Sequence, residues 1–524
     1  MTDKEKAEML AEHYQTIHKK DDTYTTQHTD IEKQVTNFIN SPTIINEKYT
    51  KNMTTSLTEI VNIIKKLKTN KAPGLDKIEN KVIKNMSKKS LIQLTNIINA
   101  IFKFNHYPTQ FKTSKVIPIH KTGKNPQSPN SYRPISLPSI LAKVTEKIIH
   151  NRLEKILRAK NIKLDTQFGF KKHHNTVQQL IRIVNDISIN FNKDNNTVMT
   201  LYDIEKAFDK VWVEGLIYKM IKYGIEPNFI KLIYSYLTDR KIIVQVGNSQ
   251  SKARRTEREV PQGSVLGPAL FSLFITDITH FPKTKMALYA DDTAIYAHSH
   301  SAQVACKQIQ IHTNMLEQYY KKWKIQLNND KTEQIVFSKK FTNVKILDKL
   351  KVGGNKIVES KQVKYLGTYL DSRLNYNENT KQLIKKGSGV LKNLYSLLSK
   401  RSKLKTKNKI HIYKAIIRPV ITYAAPVWCG LSDTAIKPLE VFQNKCMRLI
   451  LNESRYARVA QMRERAEIQS IKEYVRDVSN KFYTDQLKYN KLTKQITKIT
   501  STNTPFRIKH KLPHQTLKIF QRPG

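Results

Sequence analysis

Acidic residues are scarce in this 524-residue chain: 43 Asp and Glu stand against 91 Lys and Arg, a formal charge of +48. An excess of that size repels itself in a compact fold and calls for a polyanion, most often nucleic acid. Cysteine is nearly missing, and Cys306, Cys429 and Cys446 lie far apart without paired spacing. That excludes a disulfide scaffold and a zinc finger or knuckle, and fits a reducing compartment. No run nears ~18 consecutive apolar residues, so no membrane-spanning helix is expected. The polar, mixed-charge stretch Met1 to Lys20 does not read as a secretory signal. An anionic membrane surface is the weaker claimant on the positive charge. No repeat recurs at solenoid periods.

What is present describes a folded protein. The hydrophobic fraction is 39% and the aromatic fraction 9%, too rich for a disordered basic tail. At roughly 150 residues per domain the length allows about three or four folding units. Residues 1–54 read as a helical leader and loose linker. From Ser56, the residues Leu57, Ile60, Val61, Ile63, Ile64 and Leu67 follow a helical period until Pro73-Gly74 breaks it. Helical patterns return over Leu91–Phe104 and Ile140–Leu157, with an extended stretch, Lys115–His120, between them. Thr197–Asp203 reads as a strand running into a helix that carries Ala207, Phe208 and Val211. Met286–Ala290 and Thr293–Ala297 are apolar runs separated by Asp291-Asp292, which is hairpin spacing. From Glu378 on, the pattern is helical and very basic, and the last 25 or so residues look frayed. The class is α+β, short strands bracketed by helices.

In so basic a chain the placement of carboxylates carries information. Asp203 ends a buried-looking strand, and Asp291 and Asp292 stand at the tip of an apolar hairpin. Crowding carboxylates is costly unless cations neutralise them. On neighbouring strand ends the three could hold two Mg²⁺ ions, which clamp an attacking 3′-hydroxyl and a leaving pyrophosphate. Taken alone, Asp-Asp reads first as an ordinary exposed turn, a reading that the apolar residues on both sides weaken.

The surrounding residues narrow the reading. Tyr289-Ala290-Asp291-Asp292 resembles the catalytic hairpin of reverse transcriptases. Asp203-Ile204-Glu205-Lys206-Ala207-Phe208-Asp209-Lys210-Val211-Trp212 is similar to the first palm motif of the non-LTR (LINE-type) retrotransposon branch. Pro261-Gln262-Gly263-Ser264-Val265-Leu266-Gly267-Pro268 resembles the loop on which template and incoming nucleotide rest. Asn70–Asp76 and Ser131–Leu137 resemble fingers motifs, and Trp323, Leu327, Asn328, Lys331 and Thr332 fit the next palm motif. Tyr365-Leu366-Gly367 resembles the primer-grip hairpin, while Ile417–Trp428 and Gln443–Arg448 are similar to the thumb of jockey-like elements. The resemblance covers roughly residues 55–455.

It implies a right-hand polymerase: fingers and palm over 55–374, a helical thumb over 375–470 and a basic tail over 471–524. The palm would carry an antiparallel sheet, and the fingers would be helical. It implies RNA-directed DNA synthesis, with Asp203, Asp291 and Asp292 as ligands of two Mg²⁺ ions and Lys331 protonating pyrophosphate. Phe208 would crowd the sugar 2′ position, Gln262 and Gly263 would meet the nucleotide, and Lys121 and Arg133 would clamp the triphosphate, though a merely solvated charge reads as well for Lys121. Tyr365, Leu366 and Gly367, and Lys403, Lys405, Lys407 and Lys409, would touch nucleic acid, though a sheet core for Tyr365 and a solvated face for the lysines read as well. The partners implied are template RNA, a DNA primer or target, dNTPs and a separate endonuclease, since about 54 leader residues cannot hold the apurinic-like nuclease of relatives. No membrane partner is expected, and the setting is an intracellular ribonucleoprotein, nuclear and cytoplasmic. The motif Gln167–Thr176 matches only in part, because His174 and Asn175 stand where Arg and Ser are common. Val213 replaces a frequent His. Two other classes remain in view: a transposon-derived RNA- and DNA-binding protein that has lost catalysis, and an RNA polymerase of similar palm.

Overall fold

The computed structural model describes residues 1–19, 25–42, 49, 52–339 and 346–498. In chain order the strands are β1 (Thr113–His120), β2 (Tyr132–Leu137), β3 (Asn196–Ile204), β4 (Arg240–Val246), β5 (Ser249–Gln250) and β6 (Arg254–Thr256). They continue with β7 (Lys285–Tyr289), β8 (Asp292–Ser299), β9 (Leu327–Phe337), β10 (Lys351–Val352), β11 (Asn355–Lys356), β12 (Gln362–Tyr365) and β13 (Thr368–Asp371). Helices fill most of the remainder, so the mixed helix-and-sheet expectation holds. Among the described residues no helix is long and apolar enough to cross a membrane.

The chain folds into two compact units that do not follow blocks of sequence. One comprises Met1–Leu164, Ile204–Thr279 and Leu316–Leu327; the other comprises Asp165–Asp203, His280–Met315 and Asn328–Gly524, of which residues up to 498 are described.

The first unit is built on the sheet β2-β1-β4-β5, with β6 also paired to β4. Strands β1 and β4 run parallel, Ser114 opposite Ile242. Residues 1–19, expected to form a leader, contribute to this core instead. Helix Asp3–Ile17 buries Leu10, Ala11 and Tyr14 against Val116, Ile242 and Val244. Its polar side is tied down as well: Glu8 accepts from Lys252 N at 2.7 Å, and Arg254 reaches Glu8 and Glu12 at 3.2 and 3.0 Å. The helix expected from Ser56 is present as Leu57–Lys65, with Ser56 accepting from Glu59 N as its N-cap. Arg152 of helix Ile140–Ala159 pins it, donating to both oxygens of Glu59 and to Thr54 O.

One expected helix is missing. Residues 205–210 form consecutive turns, and the helix starts only at Val213. Glu205 N donates to Gln326 O, and Phe208 O accepts from Val260 N, taking an acceptor that a helix would pair with Trp212 N. Lys206 also sits at φ +50°, which no α-helix accommodates.

The second unit carries the antiparallel sheet β7-β8-β3-β9 and the hairpins β10-β11 and β12-β13. Helix Thr176–Asn192 buries Leu180, Ile183, Val184 and Ile187 in the same core as Met199, Ala287 and Ala294 of the sheet. The departure at Asn175 is conservative in function. Its side chain accepts from Gln178 N and its own N–H donates to Gln178 Oε1, both at 2.9 Å, a full capping box. At the end of β13 the Asp371 carboxylate accepts from Arg373 N, Asn375 N and Tyr376 N at 2.6–3.1 Å. That turn launches helix Asn377–Asn393. The helical region beyond packs around Tyr413, whose hydroxyl donates to Gln443 Oε1 at 2.7 Å, while Gln443 Nε2 donates to Gln469 O at 2.9 Å. Of the basic tail, residues 499–524 lie outside the described residues.

Two glycines on helix Asn377–Asn393 should separate packing from propensity. A Cβ at Gly387 would meet Ile421 Cγ2 at 2.5 Å and the Phe442 ring at 3.0 Å, whereas one at Gly389 meets nothing within 4 Å. Gly387→Ala is expected to destabilise by about 1–3 kcal/mol through overpacking. Gly389→Ala should stabilise by about 0.5–1 kcal/mol through helix propensity alone. Urea unfolding of the two variants checks the opposite signs.

Candidate active site

Alternation of small and apolar residues makes β7 and β8 a buried hairpin, and its turn sets the chemistry. Tyr289 pairs with Asp292, so the two turn residues are Ala290 and Asp291. The sequence had put Asp291 and Asp292 there. The shift by one leaves Asp291 on the turn and makes Asp292 the first residue of β8. Ala290 takes φ +58°, the left-handed conformation such a short loop needs. On the other side of β8, Tyr202 of β3 pairs with Thr293, so Asp203 stands one step further, level with Asp292. Residues level across an antiparallel pair project to the same face. The Tyr202 side chain is anchored by Thr313, 2.6 Å between their oxygens.

Asp203, Asp291 and Asp292 feel one another. Asp292 lies at the exposed tip of β8, yet its pKa is pushed up to about 6, first by desolvation of the carboxylate and then by the charges of Asp291 and Asp203. Lys331 of β9 pairs with Asp203, its Nζ 2.8 Å from Oδ2. Among the described residues no set of three His, Cys, Asp or Glu side chains forms a ready metal cage. The donor set nonetheless suits a hard divalent cation, with carboxylate oxygens only and a negative charge that one lysine does not balance.

The first unit holds the other predicted residues. Gln262 Nε2 donates to Asp209 Oδ1 at 2.9 Å, and Gln262 O accepts from Ser136 N at 2.8 Å. Gly263 adopts φ +103°, and a Cβ there would lie 2.6 Å from Ser136 O, so only glycine fits. Behind the loop, the buried Glu146 carboxylate accepts from Val265 N at 2.6 Å and Leu266 N at 3.4 Å. Burial raises the pKa of Glu146, and Arg240 and these N–H groups work against that rise. Phe208 is half-buried and stacks on Phe271 with centroids 4.8 Å apart. Lys121 Nζ donates to Asn130 O at 2.8 Å, and Arg133 is exposed on β2 opposite Ile119. Sequence reasoning missed His18. Its buried ring lies 3.6 Å from Glu259 and 4.0 Å from Asp209. Burial opposes its protonation, but the two carboxylates prevail and its pKa is raised. Its only sequence signal is a histidine at the end of an amphipathic helix.

The candidate nucleic-acid residues divide. Lys403, Lys405 and Lys407 are exposed. Lys409 is not: it is buried, and its Nζ donates to Ser399 O at 2.7 Å, so it is a structural residue and leaves the set. Tyr365 lies in the sheet core, 3% exposed, with its hydroxyl 3.5 Å from Ala287 O, so of the two readings the core one applies. Leu366 and Gly367 form the turn of the β12-β13 hairpin at φ +44° and +82°. Tyr423, from the predicted thumb motif, holds that turn by donating to Leu366 O at 2.9 Å. Thr176 Oγ1, also at 2.9 Å, must then donate to the Tyr423 hydroxyl. His173 stacks on Tyr489 with ring centroids 4.4 Å apart, and His174 hydrogen-bonds Asn490.

Comparison with known proteins identifies the kind of chain this is. The family described as "Reverse transcriptase (RNA-dependent DNA polymerase)" matches residues 119–370, a span that includes every predicted site residue except the Lys403–Lys409 group. The chain is 33% identical over 438 residues to "Probable RNA-directed DNA polymerase from transposon BS" of Drosophila melanogaster, covering 82% of this chain and 48% of that protein. It is 33% identical to "Probable RNA-directed DNA polymerase from transposon X-element" of the same organism, covering 75% and 43%. It is 30% identical to "RNA-directed DNA polymerase from mobile element jockey", also from Drosophila melanogaster, covering 82% and 47%. The chain thus spans about half the length of the curated relatives it matches.

The raised pKa of Asp292 has a consequence for stability. A carboxyl whose folded pKa of about 6 exceeds its unfolded value of 3.8 stabilises the fold below that lower value, and the contribution is lost as pH rises through 6. Above pH 6 a divalent cation should take the place of the proton. Mg²⁺ is therefore expected to raise the thermal midpoint more at pH 7.5 than at pH 5, and Asp292→Asn should shrink that difference. Melting curves at the two pH values, with and without Mg²⁺, check this.

Proposed function

The chain belongs to the reverse transcriptases of the jockey-like non-LTR retrotransposons, and from that premise we propose that it copies RNA into DNA by template-directed addition of dNTPs to a primer 3′-hydroxyl. The observation that carries the reading is the arrangement of Asp203, Asp291 and Asp292 at adjoining strand ends of one sheet, with Lys331 against Asp203. Its architecture is a right hand, with helical fingers, an antiparallel-sheet palm bearing the carboxylates and a helical thumb from residue 375.

Asp203, Asp291 and Asp292 would hold two Mg²⁺ ions, which supply Lewis-acid activation of the 3′-oxygen and neutralise charge on the departing pyrophosphate. The residues themselves do the rest. Lys331, already held beside Asp203, supplies the proton that leaves with pyrophosphate. Lys121 and Arg133 add positive charge for the triphosphate. Gln262 and Gly263 present backbone against the nucleotide, where a side chain at position 263 would not fit. Phe208 stands as a wall beneath the sugar, kept in place by Phe271. Lys403, Lys405 and Lys407 meet phosphates of the template–primer duplex, while base pairing reads the sequence. Its substrates are template RNA, a nicked DNA target as primer and dNTPs, handled in an intracellular ribonucleoprotein. Loss of catalysis in a retained binding protein is disfavoured because all three carboxylates and Lys331 are in place.

Primer extension on an RNA template tests the reading. Asp291→Ala should reduce Mg²⁺-dependent extension by several orders of magnitude and leave hybrid binding nearly unchanged. Extension at wild-type rates would reject the carboxylate assignment.

Sugar selection gives a second test. Phe208→Ala should keep most dNTP incorporation and improve rNTP use by about 2–4 kcal/mol of lost discrimination, judged from the size of the deleted ring. An unchanged ratio of kcat/KM for matched rNTP and dNTP would make Phe208 a packing residue only.

A further inference from the structure

Strand β7 is an edge strand, with its outer backbone groups exposed to mispairing unless something covers them. The segment around Gln167 covers them. Leu288 N donates to Thr166 O at 3.1 Å, and Phe168 N donates to Leu288 O at 2.9 Å. Gln179 Nε2 adds a bond to Leu288 O at 3.0 Å, and Arg182 donates to Met286 O. This cover runs along β7 toward the turn that bears Asp291.

At the turn the cover becomes a grip. Gln167 is 1% exposed, and its amide takes hold of Ala290 from both sides. Its Oε1 accepts from Ala290 N at 2.9 Å, and its Nε2 donates to Ala290 O at 3.0 Å. The orientation of the amide is itself fixed, because Gly169 N donates to the same Oε1 at 2.7 Å. Gly169 passes so close that a Cβ on it would run into Ala290 N. Both peptide groups flanking Ala290 are thereby fixed.

The turn has two reasons to relax without that grip. Ala290 sits at φ +58°, where an L-residue is strained. The carboxylates that the turn brings together also repel one another. We propose that Gln167 is a positioning residue for catalysis, holding the Ala290–Asp291 turn in one conformation so that Asp291 and Asp292 stand together for divalent cation binding. The proposal rests on the reading of those carboxylates as the catalytic set. Gln167 touches neither substrate nor cation and acts through the turn alone.

The test pairs Gln167→Met with Gly169→Ala in the full chain. Gln167→Met removes the grip at similar volume; Gly169→Ala keeps the glutamine but pushes a methyl group against Ala290 and the Gln167 Oε1 that holds it. Both should lower kcat by about 10²-fold at fixed Mg²⁺, the cost of displacing a catalytic group by about 1 Å. KM for dNTP should stay within about two-fold. Both should also raise the Mg²⁺ concentration for half-maximal rate, and the concentration for half-maximal thermal shift of the nucleic-acid-free protein. A purely structural role predicts a lower melting temperature with unchanged metal dependence and kcat, and that result overturns the proposal. Should Gln167→Met not yield soluble protein, Gly169→Ala carries the test. Asp291→Ala serves as the reference: full activity in that variant rejects the carboxylate reading itself. An inactive Asp291→Ala beside a Gln167→Met of wild-type kcat and metal dependence rejects only the role of Gln167.

Discussion

Repulsion among Asp203, Asp291 and Asp292 is the constraint on which the second unit is arranged. Three carboxylates are brought together in a chain that has few, at the tips of strands whose middle residues are mostly buried. Isolated, such a cluster would protonate or splay apart. The raised pKa of Asp292 records the first tendency, while Lys331 stands paired with Asp203. The second is opposed by the sheet: β8 is hydrogen-bonded on both sides, to β7 and to β3, so Asp292 cannot move without breaking its pairing with Tyr289, and Asp203 follows directly on the last β3–β8 pair. A cluster held in this way is the arrangement that the proposed divalent-cation site requires.

The first unit answers a different need, a loop with little side-chain bulk held at a fixed height. Glu146 beneath Val265, Ser136 against Gln262 and Asp209 beside Gln262 Nε2 secure residues 262–266 from three directions. His18, Arg240, Glu146, Glu259 and Asp209 form a buried charged layer under that loop. Partly satisfied charge of this kind is costly when one partner is removed. The N-terminal helix therefore belongs to the architecture that holds this loop.

Much of this was legible in the residues. Strands β1, β3, β4, β7 and β8 and the helices at Leu57–Lys65, Lys88–Phe104 and Ile140–Ala159 follow from alternation, period and caps, all local signals. The order Asp203, Gln262, Asp291 was readable because each motif is contiguous. What escaped was set by distant partners. Residues 205–210 have helical periodicity, but Gln326 and Val260 bind their backbone. Lys409 falls in a basic run and looks like its neighbours, yet Ser399 O draws it inward. Residues 1–19 look detachable until β4 supplies the apolar surface for Leu10, Ala11 and Tyr14. The turn shifted by one residue because Ala, not Gly or Asn, occupies the left-handed position, and nothing local announces that.

The central claim is that these three carboxylates form one divalent-cation centre. The most direct measurement is anomalous diffraction from crystals of the protein with an RNA template, a chain-terminated primer, an incoming dNTP and Mn²⁺. The account predicts manganese peaks within bonding distance of carboxylate oxygens from β3 and from the β7-β8 tip, bridging to the triphosphate. Manganese bound elsewhere, with Asp203 and Asp291 contacting no metal in a complex that holds primer and dNTP, would contradict it.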